Sequence, residues 1–280
     1  MTRTTHTLAG GLDNYPAPRP GAGLRPWYPV ISWLIPVLVI LVWEVVSRAG
    51  LISQQVMPAP SRVLQTGWDL MRTGELFVHL GASLARATTG FFIGGLIGFA
   101  LGVAVGFSPF AQALVDRTVQ MVRAIPFLAM LPLVIVWFGV DEGGKVFLVA
   151  LAVMFPIYIN TVLGIRQIDP KLIELAAVTG MTWPAVVQRI ILPGALPSIL
   201  TGVRYSLASA WLALVIAETL ATTKGIGFLA MDAREFLQTD VILLTIIIYA
   251  VIGVLADSLA RLLETHMLSW HPNFAKESRA

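Results

Sequence analysis

Apolar residues run in long blocks along this chain, separated by short segments rich in Pro, Gly and charge. A helix needs roughly 20 mostly apolar residues to cross about 30 Å of hydrocarbon. Six blocks reach or approach that length, at 31–47, 82–106, 113–140, 146–165, 198–221 and 241–263. The third holds Pro126 and Pro132. Two connectors exceed simple turns. Residues 58–80 open with Pro58 and Pro60, then place Val63, Leu64, Met71, Phe77 and Val78 at helical spacing, as an interfacial helix would. Residues 222–240 carry KGIGF and then MDAREFLQTD. Both read first as interfacial connectors and second as a lid or landing surface. Residues 1–29 are polar and rich in Pro and Gly. They lead into an apolar run without a small-residue processing site, so a disordered tail rather than a cleaved signal peptide is expected. The expected organisation is a tail over 1–29, one all-α transmembrane domain over 30–272 and a second tail over 273–280.

Composition sharpens this pattern. The chain is 56% hydrophobic and only 12% charged, with a mean hydropathy of +0.79, whereas an ordinary soluble domain carries about 25% charged residues. Lipid must therefore supply the solvent for much of the surface. A net charge of +3 is too small for a nucleic-acid footprint. The absence of Cys rules out disulfides, thiolate metal sites and Cys nucleophiles, and four scattered His residues without HExxH spacing argue against a zinc hydrolase. With six spans both termini share one side. The larger share of Lys and Arg then falls inside, with Arg3, Arg19, Arg25, Arg117, Arg166, Lys171, Arg189, Arg204, Arg261, Lys276 and Arg279, against Arg48, Arg62, Arg72, Arg86, Lys145, Lys224 and Arg234 outside. The eight Trp, such as Trp27, Trp33, Trp43 and Trp270, fall mostly near span ends, as interface anchors do.

Within the second block Gly90, Gly94, Gly98, Gly102 and Gly106 recur every fourth residue. A ridge without side chains lets a second helix approach closely, which marks this span as central; static packing and sliding during a transport cycle remain equal readings. GVDEGGK at 139–145 mimics a phosphate-binding loop. It has Val146 where a Ser or Thr must reach Mg²⁺ and no preceding strand, so no nucleotide site is assigned to this chain. Ionisable and polar groups inside spans are costly and point to function by default. Arg123, Asn160 and Glu218 are thus candidates for a translocation pathway. Against this, Arg123 can snorkel to headgroups, Asn160 can serve helix packing and Glu44 suits an interfacial role. A catalytic pair within the spans is not evident, and neither are the inverted repeats of a secondary transporter.

The internal segment 166–197 is the most informative. Asp169 is an N-cap, Pro170 stands at the first helical position and Gly180 is a stop, so a short helix is expected over 171–179. Thr182 starts a second helix that Pro193 and Gly194 should end. The result is a docking knob whose face offers Ala176, Ala177 and Gly180 beside Leu172, Leu175 and the acid Glu174. Only Lys171 and Arg189 lie within the two helices, too few for a DNA-binding helix-turn-helix.

From Glu174 to Gly180, and again at Ile190-Ile191-Leu192-Pro193, the chain resembles the EAA loop of importer permeases of the ABC superfamily: E-A-A, three residues, G, nine residues, I-x-L-P. It departs at Leu175, where the family usually has Ala. The strings LPLVIVWFGVDEGGKVFLVAL, FPIYINTVLGIRQIDP, ILPGALPSILTGVR and AMDAREFLQTDV are similar to the nitrate, sulfonate and taurine group, most of all to its aliphatic sulfonate permeases. The resemblance implies a type I importer (MetI-like) fold of six spans in the bacterial inner membrane, with cytoplasmic termini. It implies a second copy of the chain, two ATPase subunits that bind ATP and Mg²⁺ in its stead, and a periplasmic substrate-binding protein. The coupling to the ATPase would run through Glu174, Leu175, Ala176, Ala177, Gly180, Ile190, Leu192 and Pro193. Taurine, nitrate and other small anions are the alternative cargoes.

Overall fold

The computed structural model describes residues 28–219 and 222–270, and all regular structure among them is helical. The expected tails lie outside the described residues, except that the first helix already begins at Tyr28. In chain order the helices are α1 (Tyr28–Arg48), α2 (Pro60–Thr73), α3 (Glu75–Phe107), α4 (Pro109–Ala111), α5 (Arg117–Arg123), α6 (Leu131–Phe138), α7 (Glu142–Arg166), α8 (Pro170–Val178), α9 (Trp183–Val186), α10 (Leu192–Glu218), α11 (Ile226–Glu235) and α12 (Thr239–Met267). Among the described residues five spans are long and apolar enough to cross a membrane, namely α1, α3, α7, the continuous α9–α10 rod and α12. A sixth is formed if the bent stretch from Pro109 to Phe138 counts as one.

The bundle is organised around α7, with α3 and α10 packed along it and α12 against α10 and α11. In lipid, apolar side chains gain little by leaving the solvent for a neighbour, so helices associate where their backbones can come close. The five glycines of α3 provide that approach. A Cβ on Gly90 would stand 2.6 Å from Val149 Cβ, one on Gly102 2.6 Å from Thr161 Cβ and one on Gly106 2.7 Å from Ile165 Cδ1. On Gly94 and Gly98 it would run into the backbone of Ala150 and Met154. Ala87, Val149, Val153, Ile157, Ala213 and Leu214 continue this contact into a three-helix core. By contrast α1 meets the rest of the chain mainly at its last turns. There Glu44 accepts from the Ser61 amide (3.0 Å) and hydroxyl (2.8 Å), and Ser47 donates to the Met57 carbonyl (2.9 Å). The connector at 58–80 does contain an amphipathic helix, α2, which buries Val63 and Gly67 and is tied to the start of α12 by Thr66 and Asp240 (2.6 Å).

Two expectations are corrected. The span expected over 113–140 is broken: the helices on either side of Ala124–Pro126 meet at 93°. Pro126 lacks an N–H and disfavours helical geometry at Ile125, so α5 stops at Arg123 and the chain resumes through a 3₁₀ turn at Phe127–Met130. Pro193 and Gly194, expected to end a helix, instead lie inside a continuous rod from Trp183 to Glu218. Pro193 follows directly on a wide π-turn at Val187–Ile191, an irregularity in the ladder of helix bonds at which its missing N–H is accommodated. Gly194 is a close-approach glycine: a Cβ there would stand 2.5 Å from Ile168 Cδ1.

Gly94→Leu should destabilise the detergent-solubilised protein by about 3 kcal/mol or more, because the obstacle is backbone that cannot rotate away. Gly81→Ala, on the same helix with nothing within 4 Å, should be neutral or stabilising by about 0.5–1 kcal/mol. Thermal unfolding of the two variants side by side checks the contrast.

Candidate functional site

Helix α7 runs in the same direction as α3, with Gly90 against Val149 and Gly106 against Ile165, and α10 runs back along it, with Gly164 against Ala195 and Gly202 against Pro156, so the bundle has two ends. One carries the segment between α7 and α10. Asp169 Oδ1 accepts from the Lys171 amide (2.9 Å), and Pro170 opens α8 where its missing N–H is unneeded. The helix closes on Gly180 with φ +73°, the left-handed conformation that glycine adopts without strain. Here the Met181 amide reaches the Ala176 carbonyl (3.0 Å) and the Gly180 amide the Ala177 carbonyl (3.1 Å). Ala176, Val186 and Ile191 form a small core under this knob. Ala176 therefore faces inward, at 2% exposure, whereas the expected docking face had placed it outward. The outward crest is formed by Leu172, Leu175 and Val178 with Glu174, Ala177 and Gly180. Leu192 is half exposed at the base, and Ile190 and Pro193 are partly covered.

The opposite end holds a charge cluster. Arg86, 5% exposed on α3, donates to Glu218 Oε1 (2.7 Å), to Glu142 Oε1 (2.7 Å) and to the Lys224 carbonyl (2.7 Å), with a further close bond from its Nε to Glu142 Oε2. Glu142 also receives Lys145 (3.1 Å). Glu218 is buried at the end of α10 and accepts from the Ser83 hydroxyl (2.7 Å) and from the Gly227 amide (2.9 Å). The first amides of α11 are thus capped by side chains from other helices. The Gly225 amide reaches His79 Nδ1 (3.1 Å), that of Ile226 Ser83 Oγ (2.9 Å) and that of Gly227 Glu218. Such capping matters because the opening amides of a helix have no partner within it. His79 stacks on Phe228 at 5.6 Å.

The three pathway candidates are not brought together: no hydrogen bond or ion pair joins them among the described residues. Asn160 donates to the Pro156 carbonyl (2.9 Å) within α7, and its own carbonyl accepts from Ser198 of α10 (2.8 Å). Arg123 is exposed at the break of the bent span. The GVDEGGK string is no phosphate cradle; Glu142 to Lys145 form the first turn of α7 and contribute to the cluster.

Residues 94–269 match the family described as binding-protein-dependent transport system inner membrane component. The chain belongs to this family. It is a permease subunit of an ABC transporter, a multi-pass component of the inner membrane that works with ATPase and substrate-binding subunits and is not itself catalytic. The permease is 49% identical over 245 residues to a putative aliphatic sulfonates transport permease protein of Escherichia coli (strain K12), covering 88% of this chain and 93% of that one. A protein of the same description from Bacillus subtilis (strain 168) is 43% identical, with 91% and 92% covered. The taurine transport system permease protein of E. coli is 36% identical, with 84% and 87% covered. Among solved structures, an amino acid ABC transporter with histidines shares the fold at TM-score 0.54 and 21% identity, over 71% of this chain and 97% of that one. The inward-facing MetNI methionine ABC transporter does so at 0.53 and 21%, over 70% and 96%.

Of the cluster in the permease, only Glu218 is conspicuous in sequence. By position alone Arg86 counts with the cations outside the membrane, although it lies within the second apolar block. A charge inside a span, needing a partner, was the available signal. Neither its partners nor the roles of His79 and Ser83 can be read from spacing, since they come from helices far apart in the chain. Removing the Glu218 carboxylate leaves Arg86, the Ser83 hydroxyl and the Gly227 amide short of a partner, so Glu218→Ala should cost about 3–5 kcal/mol. Glu218→Gln, which still accepts through its amide oxygen, should cost less than half of that. The melting temperatures of the two purified variants decide.

Proposed function

We infer that this permease is the translocating subunit of an ATP-driven importer of aliphatic sulfonates. The cargo rests on the two relatives at 49% and 43% identity that are described as aliphatic sulfonates permeases, against 36% for the taurine permease and 31% for a bicarbonate permease of Synechococcus elongatus. In this reading two copies form the pathway. The crest of α8 is the coupling helix that seats in a groove of each ATPase, with Glu174, Leu175, Ala177 and Gly180 at the contact and Ala176, Ile190, Leu192 and Pro193 holding its base. Both termini and the coupling loop are cytoplasmic, as the Lys and Arg bias favours, and α11 faces the periplasmic binding protein.

The exposed apolar crest carries the coupling assignment: Leu172 is 47%, Leu175 59% and Val178 86% exposed, a surface that an aqueous loop does not leave uncovered without a partner. ATP binding closes the ATPases and draws the two coupling helices together, and the helices they join change from inward-open to outward-open. The sulfonate passes from the binding protein into the opened path and leaves inside after hydrolysis. Arg123, a guanidinium at the break of the bent span, supplies positive charge for a sulfonate oxygen, bonded through its N–H donors.

Leu175→Glu should leave the protein inserted and as stable as wild type, since the side chain is already exposed, yet abolish ATP-dependent uptake and co-purification of the ATPase. Normal uptake by this variant would overturn the docking assignment. Arg123→Gln should lower uptake of labelled ethanesulfonate about tenfold, equal to ~1.4 kcal/mol, without loss of complex. In cells carrying the ATPase and binding protein, this chain should restore ethanesulfonate uptake that unlabelled taurine and nitrate do not displace. Restoration of taurine uptake alone would reassign the cargo.

A further inference from the structure

Helices α7 and α10 form a hairpin whose turn is the coupling loop: α7 ends at Arg166 and the α10 rod starts from Trp183. Their other ends carry Glu142 and Glu218, and no hydrogen bond or ion pair joins these two carboxylates' helices there except through Arg86 of α3, among the described residues. The guanidinium takes Glu142 with Nε and Nη2 and Glu218 with Nη1, and the same Nη1 holds the Lys224 carbonyl just before α11. One side chain thus ties both free ends of the coupling hairpin to each other, to α3 and to the segment that leads into α11. The cluster is electrically balanced, with Arg86 and Lys145 set against Glu142 and Glu218, so it presents no vacant charge to a sulfonate and is not a cargo site.

We propose that Arg86 is the positioning residue that couples the binding-protein side of the transporter to its ATPases, by clamping the far ends of the α7–α10 hairpin to α11. This rests on the reading of α8 as the coupling helix. A hairpin transmits a push at one end to its turn only if its two arms move as one body. Along their length α7 and α10 pack through small and apolar groups, including Ala213, Leu214, Val149 and Val153, and their polar bond from Ser198 to the Asn160 carbonyl lies toward the loop. At the end away from the loop, a planar fork holding two carboxylates fixes register as well as distance. Because α11 receives its first three amide caps from His79, Ser83 and Glu218, a partner landing on α11 displaces the clamp and the hairpin together. Arg86 touches neither the ATPase contact nor the cargo.

The test uses the complete transporter in proteoliposomes, reading ATP hydrolysis with and without binding protein loaded with ethanesulfonate. The double variant Arg86→Met/Glu218→Gln removes the clamp but leaves no unpaired buried charge, and the amide oxygen it introduces still accepts from Ser83 and Gly227. It should assemble and keep basal hydrolysis within about twofold of wild type, while stimulation by the loaded binding protein falls about tenfold, in the range of ordinary coupling effects. Arg86→Lys, which can reach only one carboxylate at a time, should give intermediate stimulation with a smaller loss of melting temperature than Glu218→Ala. Wild-type stimulation in the double variant overturns the proposal. If the double variant does not assemble, Arg86→Lys decides: stimulation per assembled complex equal to wild type overturns the clamp, and reduced stimulation per assembled complex at wild-type basal hydrolysis supports it. Failure of the wild-type complex to be stimulated at all would instead sink the importer reading on which the clamp rests.

Discussion

Lipid offers helices almost no hydrophobic reason to leave it for one another, and the bundle answers with backbone contact along a single seam. The glycines of α3 let its backbone lie against α7 from Gly90 to Gly106, close enough that a methyl group at Gly94 or Gly98 would strike main chain. Everything else is placed by that seam. With α3 locked on α7, and α10 on the other flank of α7, the ends of three helices come together, and polar side chains on them meet without solvent between. The charge cluster of Arg86 is the consequence at one end, and the coupling loop is held at the other.

The cluster also illustrates how a membrane protein can tolerate a buried guanidinium. The cost of taking Arg86 out of water is offset because its donors find acceptors on three other segments, two of them carboxylates. Glu218 in turn uses its remaining lone pairs on a hydroxyl and an amide. Breaking one member strands the others, so its loss costs more than the single bond removed. The same principle of full satisfaction governs α8, where Asp169 and Gly180 close the two ends of a nine-residue helix that has too few internal bonds to stand alone. That closure frees the crest residues from structural duty, so Leu172, Leu175 and Val178 are available to a partner.

Much of this was legible in the chain. Span positions follow from runs of apolar residues because hydrocarbon thickness sets a length, and α1, α3, α7, α10 and α12 coincide with five of the expected blocks. Helix α8 follows from Asp169, Pro170 and Gly180 because capping is local. The amphipathic α2 follows from the spacing of Val63 and its neighbours. Local rules also misled where their context changed. Pro193 and Gly194 form a stop signal in most helices, yet here a π-turn precedes the proline and the glycine packs against Ile168, so the rod runs on. Pro126, expected to lie inside one span, instead stands where that span breaks at 93°.

The sequence by itself determined the solvent, the place of the long apolar helices, the glycine seam on one helix and the capped coupling segment, because each depends on residues near one another along the chain. Only the tertiary structure decided which helix the seam receives, that Ala176 turns inward, and that Arg86, Glu142 and Glu218 are partners. Those depend on which helices lie side by side, and residues 56 and 132 positions apart carry no mark of each other until the backbone brings their charges within bonding distance.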